Sequence, residues 1–306
     1  MKLECQQNLG VRYHEVEEGK YDLVHCHTPI AAAVTRVACR PLRKKGVKVL
    51  YTAHGFHFYD GAPLKNWLLY YPVEWLCAFW TDGLITINSE DYRRAKKRLH
   101  AKRVYYVPGV GTNIDGFGVD CKHEIRKEFN IPESAILFLS VGELNKNKNH
   151  QVVIKALAEV NNTNIYYIIA GAGDEVPLKD LIQKYRLENR VFLAGYRTNI
   201  KDFLADADVY ILPSIREGLN VSIMEAMASG KPCLVSDIRG NRDLIDDHGG
   251  IRFDPHSVVD TRKAIVQMLD KREMWRQYGG RNRRKVEKYE SKRVNTLLER
   301  IYNEVK

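Results

Sequence analysis

The sequence has no run of apolar residues approaching the roughly 20 that a membrane-spanning helix needs. Its start, Met1–Gln7, has no apolar stretch after its one basic residue and predicts no secretion signal. The six cysteines are scattered, with no Cys-x-x-Cys pair and no Cys/His spacing suited to zinc. These absences argue against a membrane span, a disulfide scaffold and a zinc module, and they predict a reduced, cytoplasmic protein.

Negative charge is also in short supply, because 48 Lys and Arg residues face 38 Asp and Glu residues, a net charge of +10. The excess concentrates in Arg40–Lys48, Arg93–Arg103 and Arg281–Lys285. It suits an anionic partner such as nucleic acid, acidic lipid or a phosphorylated substrate. Nucleic acid is the least favoured of these, since neither a recognition-helix pattern nor an RNA-binding aromatic signature is present. Any single basic run is explained more simply as a solvated helix face.

Short apolar segments alternate with helical patterns along the chain. The strand candidates are Asp22–His25, Val47–Thr52, Leu84–Ile87, Val104–Val107, Ile136–Val141, Ile165–Ala170, Arg190–Ala194, Val209–Leu212 and Cys233–Ser236. Helical patterns between the later ones include Gln151–Val160, Leu178–Arg186 and Val221–Ser229. Buried strands that alternate with helices indicate doubly wound parallel sheets.

The turn-forming segment Pro108–Asn113 predicts a linker between two Rossmann-like α/β domains that face a cleft, residues 1–110 and 111–280. Residues 281–306 are predicted to form a helix docked across both domains, because an apolar stripe runs along Val294, Leu297, Leu298, Ile301, Tyr302 and Val305. The first domain lacks the usual opening strand and Gly-rich turn, so about 60–80 residues are predicted to be missing upstream.

The segment Arg216–Pro232 carries the strongest signal. A buried strand ends in Pro213-Ser214, a Glu-Gly loop follows, and a helix begins near Asn220 or Val221. The amides at a helix N-terminus beyond such a strand suit a diphosphate. Glu217 and Glu225 would repel phosphate, and so they suit the hydroxyl groups of a ribose or a sugar.

This segment resembles the E-x7-E motif of the family-four retaining glycosyltransferases, which have the GT-B fold, and the resemblance runs from about Tyr21 to the C-terminus. It implies that Glu217 contacts the donor sugar and that Glu225 holds the nucleotide ribose. It also implies that backbone amides face the sugar and the diphosphate, those of Gly218, Leu219, Asn220 and Val221.

Val141–Asn149 resembles the V-G-R-L…K-G segment of the same family, in which the Arg and the Lys grip the diphosphate. Lys148 matches the Lys, and Gly142 matches the Gly. Glu143 stands where the Arg is expected, and we expect it to point elsewhere or to pair with Lys146. The electrostatic clamp would then depend on Lys148, with Lys146 as a second cation.

Thr52-Ala53-His54-Gly55 matches the T-x-H-G element, whose histidine faces the donor sugar in the family. His57, His25 and His27 could form a metal cluster on paper, but the resemblance implies neither a metal nor a cofactor. Gly171-Ala172-Gly173 could begin a nicotinamide fingerprint, yet Val176 occupies the place of its third glycine. We expect Gly171 to belong to a tight turn that lines the nucleotide cleft.

The segment Phe56–Trp80 is rich in aromatic residues and fits either a domain core or a patch on an anionic membrane. The resemblance is nearest to enzymes of capsular and other surface polysaccharides, whose acceptors hang from polyprenyl diphosphate, and this favours peripheral membrane contact.

The sequence therefore predicts a retaining glycosyltransferase that uses a nucleotide-diphosphate sugar, with UDP preferred by resemblance, and a glycan or a lipid-linked acceptor. His54, Glu217 and Lys148 are its predicted catalytic residues. Three alternatives stay open: a nucleotide-sugar 2-epimerase, an NAD-dependent oxidoreductase, and a donor-binding protein without transferase activity.

Overall fold

A computed structural model describes residues 16–118, 121–160 and 162–306, so the predictions made on Met1–Gln7 lie outside the described residues. The chain divides into two compact units. Unit one consists of residues 16–111 and 291–306, and unit two consists of residues 112–290. The described helices include none long and apolar enough to cross a membrane.

Unit one contains a four-stranded parallel sheet in the order β1-β2-β3-β4. Its strands are β1 (Leu23–His27), β2 (Lys48–Ala53), β3 (Gly83–Thr86) and β4 (Arg103–Tyr106). Its helices are α1 (Pro29–Ala38), α2 (Arg40–Arg43), α3 (Leu64–Ala78), α4 (Ser89–Arg98) and α13 (Ser291–Val305). β2 and β3 are buried along nearly their whole length, because helices cover parallel sheets on both faces.

Unit two contains a six-stranded parallel sheet in the order β10-β9-β8-β5-β6-β7. Its strands are β5 (Ile136–Val141), β6 (Ile165–Ala170), β7 (Val191–Gly195), β8 (Val209–Leu212), β9 (Cys233–Ser236) and β10 (Gly250–Phe253). Its helices are α5 (Ile125–Glu128), α6 (His150–Ala158), α7 (Val176–Lys184), α8 (Ile200–Asp206), α9 (Val221–Ala228), α10 (Asn241–Leu244), α11 (Val258–Asp270) and α12 (Trp275–Val286).

The C-terminal residues do not form one helix from residue 281 onward. α12 ends at Val286, a short 3-10 turn (Glu287–Tyr289) follows, and α13 begins at Ser291. The units divide between residues 290 and 291, so α13 belongs to unit one. There its apolar stripe packs on the sheet, since Val294, Ile301 and Val305 are buried with Leu50 and Ile85.

α3 has apolar residues on every side, which is why no helical period marked it in the sequence. One side of α3 is buried and carries an ion pair with α1. The Arg36 guanidinium of α1 donates to the Glu74 carboxylate of α3 at 2.9 Å, and both side chains are buried. Its other sides stay exposed, at Leu64, Leu68, Leu69, Val73 and Leu76.

Candidate functional site

The strand order of unit two reverses between β5 and β8. The chain passes from β5 outward through β6 to β7 and then returns to β8 on the other side of β5. In open parallel sheets, ligands bind in the crevice beyond the carboxyl ends of the strands at such a reversal. The loops that follow β5 and β8, residues 142–149 and 213–220, carry most of the predicted site residues.

An ion pair joins these two loops. Lys148 Nζ donates to Glu217 Oε1 at 2.8 Å, and the side chains are only 17% and 13% exposed. A backbone hydrogen bond also joins the two loops: the Ile215 N–H donates to the Asn147 carbonyl at 2.8 Å. The Asn147 side-chain amide donates to the Arg216 carbonyl at 3.0 Å. The structure thus brings together two predicted residues that lie 69 positions apart.

The loop after β5 is organised by the side chain of Asn145. Its Oδ1 accepts from the Lys148 N–H and its amide donates to Glu143 Oε2, both at 2.9 Å. Of the two expectations for Glu143, pairing with Lys146 is not what the structure shows: its carboxylate accepts from Asn145, two residues away. Glu143 is exposed, so its charge is solvated.

α9 begins at Val221 and is capped by Asn220, whose Oδ1 accepts from the Ile223 N–H at 3.2 Å. The amides of Val221 and Ser222 lie outside the helical hydrogen-bond ladder, as the first amides of any helix do. Ser222 Oγ lies 3.1 Å from the Val141 carbonyl at the end of β5. The positive end of α9 therefore stands beside the loop that carries Lys148.

Glu225 lies one turn into α9 and is half-buried. Burial raises the pKa of its carboxyl above the ordinary value. Among the described residues, the Glu225 carboxylate has neither a cation nor a hydrogen-bond donor as a partner. A carboxylate in this setting is stabilised by hydroxyl donors from a ligand, which supply the hydrogen bonds that burial has removed.

Two glycines let the loops of this edge approach each other. A Cβ on Gly171, after β6, would lie 1.9 Å from the Gly142 carbonyl oxygen. A Cβ on Gly240, which follows β9 and has φ +76°, would lie 2.3 Å from the Gly218 carbonyl oxygen. Gly240 was not among the predicted site residues, although a glycine between a buried strand and a helix signals such a close approach.

Lys146 is exposed, and the structure does not place it with Lys148 and Glu217. It lines a cavity of about 360 Å³ together with Leu144, Asp174 and Leu178. His150, the first residue of α6, lies on the wall of the same cavity. Of the two lysines predicted for the electrostatic clamp, only Lys148 lies with Glu217.

Acidification should destabilise unit two through His150. Burial lowers its pKa from 6.5 to about 4, and its Nδ1 lies 3.2 Å from the Tyr167 hydroxyl. Because the folded pKa is the lower one, the unfolded chain binds the proton first as the pH falls below 6.5. The free energy of unfolding should fall by about 3 kcal/mol between pH 7 and pH 4 from this group.

Urea unfolding at both pH values, on wild-type and His150→Gln chains, measures this contribution. Glutamine keeps a hydrogen-bonding group near Tyr167 but does not titrate, so the variant should lose about 3 kcal/mol less than the wild type. An identical loss in both chains would contradict the assignment.

Unit one places His54 directly after β2, where it forms a histidine pair. His27 Nδ1 and His54 Nε2 are 2.9 Å apart, so one ring donates and the other accepts. Burial, and then the neighbouring His27, lower the pKa of His54, which favours its neutral form. This pair was not predicted from the sequence. It follows from the parallel pairing of β1 with β2, which sets His27 opposite Thr52.

The three histidines that could form a metal cluster on paper have other neighbours in the described part of unit one. His25 is engaged by the Thr52 hydroxyl and by the Tyr302 hydroxyl, each at 2.8 Å. His57 stacks on Tyr70, with ring centroids 4.4 Å apart. Among the residues that the structure describes, no group of three or more His, Cys, Asp or Glu side chains could hold a metal ion.

Comparison with known families gives two matches. Residues 122–285 match the family described as Glycosyl transferases group 1. Residues 10–110 match the family described as Glycosyltransferase Family 4. The first match contains the loops after β5 and β8 and all of α9.

Similar proteins include EpsD of Bacillus subtilis (strain 168), which is 37% identical over 310 residues, or 97% of this chain and 81% of EpsD. The UDP-Gal:alpha-D-GlcNAc-diphosphoundecaprenol alpha-1,3-galactosyltransferase of Escherichia coli is 29% identical over 84% of this chain and 69% of its own length. The structure of Anabaena HepE in complex with UDP-glucose superimposes with a TM-score of 0.83 at 18% identity, covering 99% of this chain and 85% of HepE. That likeness confirms the predicted α/β fold with two parallel sheets.

Proposed function

The chain belongs to the group 1 glycosyl transferases, as the motif around Glu217 and Glu225 predicted, and from this premise we propose its substrates and the roles of its residues. The donor is a UDP-sugar, and the acceptor is a hydroxyl of a glycan or of a polyprenyl-diphosphate-linked sugar in surface-polysaccharide synthesis. The Lys148–Glu217 pair beside the start of α9 carries this proposal, because it sets a cation for phosphate next to an acceptor for hydroxyl groups.

The diphosphate of the donor would be held by Lys148 and by the free amides of Val221 and Ser222. Negative charge grows on the phosphate oxygen as its bond to the anomeric carbon breaks. A fixed ammonium group and a helix N-terminus stabilise that charge without reorganisation. Lys148 is already fixed by Glu217, and this contact supports the assignment.

The two carboxylates would bind hydroxyl groups. Glu217 would accept from the donor sugar, and Glu225 would accept from the ribose. Since burial raises the pKa of Glu225, hydrogen bonds from two ribose hydroxyls would stabilise its ionised form. His54, neutral and held by His27, would hydrogen-bond a sugar hydroxyl.

The proposed reaction retains configuration. The bond from the anomeric carbon to the diphosphate breaks through an oxocarbenium-like transition state. The acceptor oxygen then bonds to the same face of that carbon, and its proton passes to the departing phosphate. The relative from Escherichia coli, whose name states a UDP-galactose donor and a diphosphoundecaprenol-linked acceptor, supports these substrate classes.

Calorimetric titration with UDP and GDP tests the proposal. UDP should bind saturably, and Glu225→Gln should raise its Kd roughly 10- to 100-fold, because an ionised acceptor of two hydroxyl groups is replaced by a neutral amide. Glu188→Gln, an exposed change between α7 and β7, is the matched control and should leave the Kd unchanged.

Binding of NADH instead of UDP would contradict the proposal, and so would equal UDP affinity in wild type and Glu225→Gln. Product analysis with a UDP-sugar then separates the alternatives. Conversion of the sugar without an acceptor would indicate an epimerase, and binding without turnover would indicate a donor-binding protein. Transfer that depends on an acceptor hydroxyl is the result expected here.

A further inference from the structure

A basic pocket of about 300 Å³ lies at the amino edge of the sheet of unit one. It is lined by Arg40, Arg43, Lys44, Val47, Lys48, Trp80 and Asp82. Lys48 begins β2 and Asp82 precedes β3, whereas His54 follows the other end of β2. A strand of six residues separates the two edges by about 20 Å, so the pocket is distinct from the histidine pair.

The one carboxylate that lines the pocket, that of Asp82, already accepts three hydrogen bonds. Asp82 accepts from Arg43 Nε at 3.0 Å, from Arg43 Nη2 at 2.9 Å and from the Val49 N–H at 2.9 Å. Burial alone would raise the pKa of Asp82, but these bonds and the charges of Arg43 and Lys48 outweigh it and lower the pKa. Asp82 therefore stays ionised and balances Arg43.

Three cations remain without an ion pair among the described residues: Arg40, Lys44 and Lys48. Arg40 is placed by Trp80, whose ring centroid lies 5.1 Å from the guanidinium carbon. Arg43 is held as well, because its Nη1 donates to the Phe79 carbonyl at 3.3 Å. The pocket is thus a partly pre-formed cavity with an excess of three positive charges, which suits a phosphate group.

The pocket adjoins the exposed apolar surface of α3. The helix runs from the edge of the sheet that carries His54 to the edge that carries the pocket, and Phe79 and Trp80 follow its last residue. Leu76 and Phe79, at the end of α3 nearest the pocket, are 48% and 47% exposed. The exposed apolar residues continue toward the far end of the helix through Leu69, Leu68 and Leu64, which are 65%, 68% and 73% exposed. An exposed apolar helix face with cations at one end is the pattern of a helix that lies in a membrane interface.

We propose that this pocket binds the phosphate of an anionic lipid headgroup while the exposed residues of α3 enter the membrane interface. The exposed apolar residues beside the pocket favour a lipid as the source of the phosphate, since a free phosphate ion gains nothing from Leu76 and Phe79. The inference deepens the peripheral membrane contact expected for a lipid-linked acceptor, and it does not depend on the transfer reaction.

Flotation with vesicles tests the proposal on the full chain. Vesicles that contain phosphatidylglycerol should bind the wild type, and vesicles of phosphatidylcholine alone should bind it far less. The triple variant Arg40→Gln, Lys44→Gln and Lys48→Gln should lose on the order of 100-fold in affinity for the anionic vesicles. Arg43 is left in place because Asp82 would otherwise be buried without its cation.

A matched triple variant in unit two controls for net charge. Lys127→Gln, Lys263→Gln and Arg276→Gln remove the same three charges from exposed positions and should retain anionic-vesicle binding within about threefold. Equal losses in both triple variants would overturn the pocket as the site. Leu68→Ser with Leu69→Ser should also weaken vesicle binding, and full binding by that variant would overturn the role of α3.

Titration with inorganic phosphate tests whether the pocket binds a lipid headgroup or a free phosphate ion. Saturable phosphate binding that the pocket variant loses, without any preference for anionic vesicles, would identify a free anion as the ligand and overturn the lipid assignment. UDP binding by the pocket variant should equal that of the wild type. Failure of UDP to bind any chain would defeat the proposed function and leave the vesicle result to decide this inference.

Discussion

A Lys148→Met variant should transfer sugar with a kcat roughly 10²- to 10³-fold below that of the wild type, the loss typical of removing one pre-organised group that stabilises transition-state charge. The ammonium group is largely buried and fixed 2.8 Å from Glu217, so it is set in place before the donor arrives. Methionine keeps most of the side-chain volume and removes only the charge. Initial rates with a saturating UDP-sugar measure the effect.

Lys263→Met, an exposed lysine on α11, is the control and should keep the wild-type kcat. Glu217→Ala should also reduce turnover, and in a double-mutant cycle the two losses should not add, because each substitution already breaks the same pair. A kcat for Lys148→Met within threefold of the wild type would refute the role given to this lysine.

Gly171→Ala should lower kcat/KM for the donor about 100-fold without placing any group in contact with it. The added methyl would lie 1.9 Å from the Gly142 carbonyl oxygen, which is backbone and cannot rotate away. The loops after β5 and β6 must then separate by about 1 Å, and a misplacement of that size in the Lys148 loop can cost 10²-fold.

Gly280→Ala provides the matched comparison. Gly280 lies inside α12, and a Cβ there would meet only Arg284 Nη1, at 4.0 Å. Alanine favours a helix, so this variant should be at least as stable and equally active. If Gly171→Ala binds UDP and turns over like Gly280→Ala, the close approach of the two loops does not position the site.

The sequence predicted the central strands of unit two well, because buried parallel strands are short apolar runs between turn formers. β5, β6, β8 and β9 begin and end at the predicted residues, and α9 begins at Val221. β10 was missed, since Gly250 and Arg252 interrupt the apolar pattern of a strand of only four residues. α3 was missed because a helix with apolar residues on every side has no amphipathic period, and Pro72 lies inside it.

The contacts between residues of the candidate site were harder to predict from the sequence than the identity of those residues. Lys148 and Glu217 were each identified by a motif. Their ion pair also requires β8 to lie beside β5, and neither motif gives the order of the strands in the sheet. The His27–His54 pair depends in the same way on β1 lying beside β2. The true partner of Glu143 was missed because Asn145 forms a local side-chain turn that charge matching overlooks.

Before any ligand arrives, Lys148 and Glu217 serve as each other's counter-ion. With the roles proposed for the two residues, a nucleoside diphosphate without its sugar would take the lysine and leave a largely buried carboxylate with no cation, which is unfavourable. The complete donor would offer phosphate to the ammonium group and sugar hydroxyls to the carboxylate at once. We therefore expect the pair to favour binding of the donor over retention of the spent nucleotide, and the product to inhibit weakly.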